Sequence, residues 1–140
     1  GVDLSVNMLA LASDKGCYAT LHTDSISHHL RTTADTYDLF IATDVFIYIG
    51  DLRELFAAAA AAARPGALFC CSTERREAAG FELRATGRFA YSRDYLQDTA
   101  AAAGWRVLTV EPTGLRREGD TRIEGDLWVL RLDTIPVEAG

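Results

Sequence analysis

Residues 37–46 read YDLFIATDVF, and this stretch decides the fold. Leu39, Phe40, Ile41 and Ala42 make an almost unbroken apolar run, closed by the polar pair Thr43-Asp44. A half-exposed strand alternates apolar and polar residues. A continuous run with a polar exit is instead the pattern of a parallel strand buried on both faces. Parallel neighbours require long crossovers, so helices are expected on both sides of it in sequence.

The flanking segments fit that expectation. Upstream, GVDLS (1–5) reads as the end of a buried strand, and Ser5 is a good cap for a helix whose apolar side carries Met8, Leu9, Leu11 and Ala12. Gly16 stands where a C-terminal helix glycine belongs. CYATLHTD (17–24) reads as a strand, and SISHHLRTTADT (25–36) as a short helix or loop. Downstream, Asp51 and Glu54 form an N-terminal capping pair for a helix from about Leu52 to Ala63, much of it alanine, which Pro65-Gly66 stops. ALFCCSTE (67–74) is the next strand, and RREAAGFELRATGRFAYS (75–92) lacks a clear period and reads as a long loop. Ser92 caps a further helix to about Ala103, which Gly104 ends. WRVLTVEPTGLRRE (105–118) and DLWVLRLD (126–133) are strands joined by GDTRIEG, too short for anything but an antiparallel hairpin. The expected fold is α/β, a doubly wound, mostly parallel sheet with an antiparallel C-terminal strand, in a single domain over residues 1–140.

Composition narrows the function. A net charge of −6 argues against the broad basic surface that nucleic acid requires. No apolar run reaches the roughly 18–20 residues of a membrane span. No basic start leading into an apolar segment and cleavage site is visible. Cys17, Cys70 and Cys71 lack metal or CxxC spacing, and read as reduced packing residues of a cytoplasmic protein.

In open α/β sheets ligands gather beyond the carboxyl ends of the strands. Three acids fall there: Asp3, Asp24 and Asp44. A carboxylate at Asp3 can accept from both hydroxyls of a ribose. Asp24, beside Ser25, can accept from the exocyclic amine of an adenine, while Met8 packs on the base. Each also has a plainer reading: Asp3 as a strand end, Asp24-Ser25 as a helix-capping pair, Asp44 as a turn residue. His28-His29 are adjacent and read as solvated surface rather than a metal pair. No nucleophilic triad and no metal-ligand cluster stands out.

In this order and spacing, GVDLSVNML (1–9), YDLFIATDVFIYIGDL (37–52) and ARPGALFCCSTE (63–74) resemble the later motifs of class I S-adenosylmethionine-dependent methyltransferases. The resemblance continues through GRFAYSRDYLQDTAAAAGWRV (87–107) to the final hairpin, and is closest to a bacterial group in which some members carry helical repeats upstream. It implies that GVDLS is the second strand of a Rossmann-like methyltransferase fold. The family's first strand, which is central in its sheet, and its glycine-rich GxGxG loop have no counterpart in these residues. They are expected upstream of Gly1, residues 1–140 being the C-terminal part of a methyltransferase domain. The chain alone is then expected to be inactive, and a homodimer formed by exchanging strands is one expected state. The resemblance further implies S-adenosylmethionine as cofactor. Asp3 would bind its ribose, Leu4 and Met8 would flank its base, Asp24 and Ser25 would face the adenine, and Thr43 and Asp44 would lie beside the methionine end. The expected acceptor is a small molecule or a protein, with Tyr48, Arg88 and Tyr91 as candidate contacts. Because the cofactor is already activated, no conspicuous catalytic pair is required.

Two other readings remain. A nicotinamide-dependent oxidoreductase would also place an acid after its second strand, but the closing hairpin and the lack of a Tyr-x-x-x-Lys pair (Lys15 is the only lysine) count against it. A non-catalytic module serving association is the other.

Overall fold

The computed structural model describes residues 1–133. In chain order, β1 (Val2–Asp3), α1 (Val6–Asp14), β2 (His22–Thr23), α2 (Ile26–Thr32) and β3 (Tyr37–Ala42) lead into a 3₁₀ turn at Phe46–Tyr48. Then come α3 (Arg53–Ala61), β4 (Ala63–Arg75), β5 (Phe81–Leu83), β6 (Phe89–Tyr91), α4 (Arg93–Ala102), β7 (Trp105–Glu118) and β8 (Thr121–Leu132). This is the expected Rossmann-like α/β order, closed by an antiparallel hairpin.

Local chemistry sets most of the helix ends. The Oγ atoms of Ser5, Ser25 and Ser92 accept from the N–H three residues on, at 3.3, 3.2 and 3.2 Å, which satisfies donors that the first helical turn leaves free. Gly104 follows α4 with φ of 90°, a left-handed conformation that a side chain would strain. The helix α3 departs from the expected cap. Its N-cap is Leu52, and Asp51 instead takes the Arg53 N–H at 3.0 Å together with the Arg53 guanidinium.

β4 is the spine of the larger sheet. It pairs with β3 in parallel along Ala63–Cys71, with β6 in parallel at Glu74–Arg75 on the same edge, and with β8 antiparallel on the other. β5 and β6 form a short hairpin inside the segment read as loop. Its three-residue strands fall below the length at which periodicity is readable. CYATLHTD yields only the two-residue β2, paired in parallel with β1 in a separate sheet.

Register divides the large sheet into two unlike faces. Phe40, Phe69 and Leu130 lie side by side, as do Ala42, Cys71 and Trp128, and this face is buried beneath the helices. Phe69 sits among Phe40, Phe46, Phe56 and Trp105 at centroid distances of 5.5 to 6.0 Å. The polar tips inside are satisfied: Trp105 Nε1 donates to the Phe56 carbonyl at 3.1 Å and Trp128 Nε1 to Thr73 Oγ1 at 2.8 Å. On the opposite face stand Leu39, Ile41, Leu68 and Leu127, all exposed, Ile41 at 69%. The expectation that β3 is buried on both faces is therefore corrected. Among the described residues, the apolar run reflects one packed face and one apolar face that no helix covers.

Truncation of Phe69 to alanine is expected to cost about 3–5 kcal/mol, because it empties the centre of the aromatic cluster. In residues 1–140 alone, Ile41→Thr, on the uncovered face, should cost under about 0.5 kcal/mol. Urea unfolding monitored by circular dichroism compares them, and equal costs would contradict this division of the sheet.

Candidate functional site

The two acids following β1 and β2 are brought together. β1 and β2 pair Val2 with His22 and Asp3 with Thr23, and the Asp24 N–H donates to the Asp3 carbonyl at 3.1 Å. The Asp3 and Asp24 carboxylates thus leave neighbouring parallel strands at the same end, each just before a serine-capped helix. Asp3 Oδ1 accepts from the Ser5 N–H at 2.7 Å, which fixes the carboxylate at the start of α1. Asp3 Oδ2 has no partner among the described residues.

Asp24 is fully engaged. Oδ1 accepts from the Ser25 N–H at 2.7 Å, and Oδ2 lies 2.7 Å from His28 Nδ1. The hydrogen bond to His28, outweighing what burial adds, holds the Asp24 carboxyl below the usual carboxylate range. Ser25 Oγ is spent on its own helix. Leu4 and Met8 are 74% and 53% exposed on the α1 side, so their apolar surface is free to meet a ligand.

Thr43 and Asp44 follow β3, on the far side of a cleft. This cleft, of about 250 Å³, is bounded by Val2 and His22 on one side and by Leu39–Ala42 and Val45 on the other, with Leu30 of α2 at its wall. Asp44 is the only non-glycine residue at positive φ among the described residues, at 57°. Its N–H donates to Ser72 Oγ at 2.7 Å, and Arg116 Nη1 donates to its Oδ1 at 3.0 Å. The left-handed backbone is tolerated by Asp and is held here from both ends. Arg116 also donates to Glu74, buried on β4, which takes Arg84 on its other oxygen. The structure brings Asp3 to Asp24; no contact joins either to Thr43 or Asp44.

Two histidines read from the sequence as solvated surface belong to this region, and for His29 that reading is corrected, since it is buried. His28 stands four residues after Asp24, a spacing at which helical neighbours meet, and that spacing was the available signal. His29 is buried, with its ring 4.5 Å from that of His22 and Nε2 3.2 Å from the Tyr37 hydroxyl. Of the acceptor-contact candidates, Tyr91 is structural, since its hydroxyl donates to the Phe46 carbonyl inside the core. Tyr48 is exposed, and Arg88 pairs with Glu118. Among the described residues no cluster of ligating side chains could hold a metal, and no helix is long and apolar enough to cross a membrane.

Burial, with His22 beside it, lowers the His29 pKa below its ordinary value. The opposing Asp24 and Asp35 carboxylates raise it less. A base whose folded pKa is depressed contributes stability that is present above the unfolded value, ~6.5, and is lost as the pH falls below it. Stability should therefore decline from pH 7 to pH 5, and less so in His29→Asn. Urea midpoints across that range test this, and the same slope in both proteins would contradict it.

No family model matches the sequence, and a search of curated proteins finds no match. Solved structures do match. An S-adenosylmethionine-dependent methyltransferase from Methanosarcina mazei superposes with a TM-score of 0.72 at 10% identity, over 96% of this chain and 82% of that one. One from Mesorhizobium loti gives 0.71 at 20% identity, over 94% and 78%. The N-methyltransferase NodS from Bradyrhizobium japonicum, solved with S-adenosylhomocysteine, gives 0.71 at 15% identity, over 95% and 65%.

Proposed function

We propose that this chain, whose fold is that of class I S-adenosylmethionine-dependent methyltransferases, binds S-adenosylmethionine and serves methyl transfer to a small-molecule acceptor. One observation carries the reading: Asp3 and Asp24 stand side by side beyond the carboxyl ends of paired parallel strands, each ahead of a capped helix.

The residues suit the ligand. Asp3 is anchored through one oxygen and offers the other, so its carboxylate can accept from vicinal ribose hydroxyls. Met8 and Leu4 present exposed apolar surface beside it for a flat base. Asp24 can accept from an exocyclic amine only by sharing an oxygen already used by Ser25 or His28. Thr43 and Asp44 would flank the methionine end, and contacts with Ser72 and Arg116 hold Asp44 in its present conformation. Bound, the sulfonium supplies an activated methyl group, so the protein contributes alignment of the acceptor lone pair and exclusion of water. The cysteines are free, and burial with Cys70 beside it pushes the Cys71 thiol far above its usual range. Three free thiols, one of them exposed, are consistent with a reducing, cytoplasmic setting.

Calorimetric titration of the full-length protein with S-adenosylhomocysteine tests the reading. Asp3→Ala should weaken binding by about 2–4 kcal/mol, through loss of two charge-assisted hydrogen bonds. Asp24→Ala should cost about 1 kcal/mol, since that acceptor is already shared. Unchanged affinity in Asp3→Ala would leave Asp3 as a strand end and remove the reading.

A further inference from the structure

A second cavity, of about 410 Å³, opens between the end of β4 and the first turn of α4, and Arg75, Arg76 and Arg93 line it. Asp126 of β8, wholly buried, organises two of them. Arg75 reaches its Oδ2 through Nε at 3.3 Å and its Oδ1 through Nη2 at 2.8 Å. Arg93 does the same at 3.2 and 2.6 Å. One carboxylate therefore takes one edge of two guanidiniums. This leaves Nη1 of each without a protein acceptor among the described residues, with Glu77 the other carboxylate whose charge reaches both.

Arg76 also lines the cavity, with its Nη2 beside Glu82. Its Nη1 is spent on the Ala79 carbonyl at 2.8 Å, but its Nε is buried with no hydrogen-bond partner. Buried donors are rarely left unpaired, because the lost hydration is not replaced. Carboxylates stand nearby, Glu82 in an ion pair with Arg76 and Glu77 close enough to favour the charged forms of Arg75 and Arg93, but none accepts from the free Nη1 groups or from Arg76 Nε. Glu82 lies 3.6 Å from Arg76 Nη2, and Glu77 and Asp94, exposed at the rim, form no ion pair among the described residues.

We propose that this cavity binds an anionic oxygen group, a carboxylate or a phosphate. Planar guanidiniums with free edges match both groups, and Asp126 holds two of the three arginines in place before any ligand arrives. The cavity opens beyond the carboxyl end of β4, as Asp44 does beyond the carboxyl end of β3. On the function proposed above, it holds the acidic end of the methyl acceptor, so the acceptor is an acid or a phosphate ester.

Arginine Nε resonances of the full-length protein report on this directly, with inorganic phosphate and succinate as probes against sodium chloride of equal ionic strength. The Arg75 Nε signal, present in every variant, should shift saturably with at least one probe. Arg76→Gln and Arg93→Gln should each weaken binding about ten-fold, while Arg106→Gln, on the distant Asp133 pair, should not. Glu77→Gln, which removes a competing charge, should tighten it. Saturation by phosphate alone assigns a phosphate ester, and by succinate alone a carboxylic acid. A response linear in salt and equal to that of chloride, or one that survives both arginine substitutions, would overturn the proposal. Parallel titration with S-adenosylhomocysteine, expected to be unchanged in Arg76→Gln, keeps failure here distinct from failure of the cofactor reading.

Discussion

A strand inside a parallel sheet must hydrogen-bond on both edges, and this constraint governs what the rest of the molecule can do. β4 meets it, with β3 and β6 on one edge and β8 on the other. β3 and β1 are each paired on one edge only, and a cleft lies between them. Within residues 1–133 the sheet is thus in two parts, joined through helices rather than backbone. Leu30 of α2 belongs to the main core, and Arg31 of α2 pairs with Glu54 of α3. The candidate nucleoside acids stand on one part and Thr43-Asp44 on the other. The relative placement of the two is accordingly set by side-chain packing.

The energetics divide the same way. The larger part owes its stability to the aromatic cluster around Phe69 and to buried charges that are fully partnered. Glu74 and Asp126 each take two arginines. Such groups are expensive to bury unless partnered, and here each carboxylate oxygen accepts from at least one arginine. Their arginines also reach the carboxyl end of the sheet, where Arg116 fixes Asp44 and Arg75 and Arg93 line a cavity. Stabilising the fold and shaping the ligand end are one network.

Much of this was legible in the sequence, for local reasons. Ser5, Ser25, Ser92 and Gly104 act within a turn of their own position, so their roles follow from spacing. The short link between the last two strands left only one topology. Asp3 and Asp24 were readable because each closes a strand that precedes a cap. What escaped depends on distant partners. Asp126 meets Arg75 across 51 residues and Arg93 across 33. The bare face of β3 escaped because an apolar run does not reveal whether anything covers it. His28 escaped for another reason: its four-residue spacing from Asp24 was present, but the adjacent pair read as solvated surface.

The central claim is that a nucleoside sits beyond β1 and β2, with its ribose on Asp3. A crystal structure of the full-length protein with S-adenosylhomocysteine tests it most directly. The account predicts ribose hydroxyls on the Asp3 carboxylate, the adenine between Met8 and Asp24, and the thioether end directed across the cleft toward Thr43 and Asp44. A nucleoside bound elsewhere, or no density at saturating ligand in crystals where this end of the sheet is open to solvent, would contradict it.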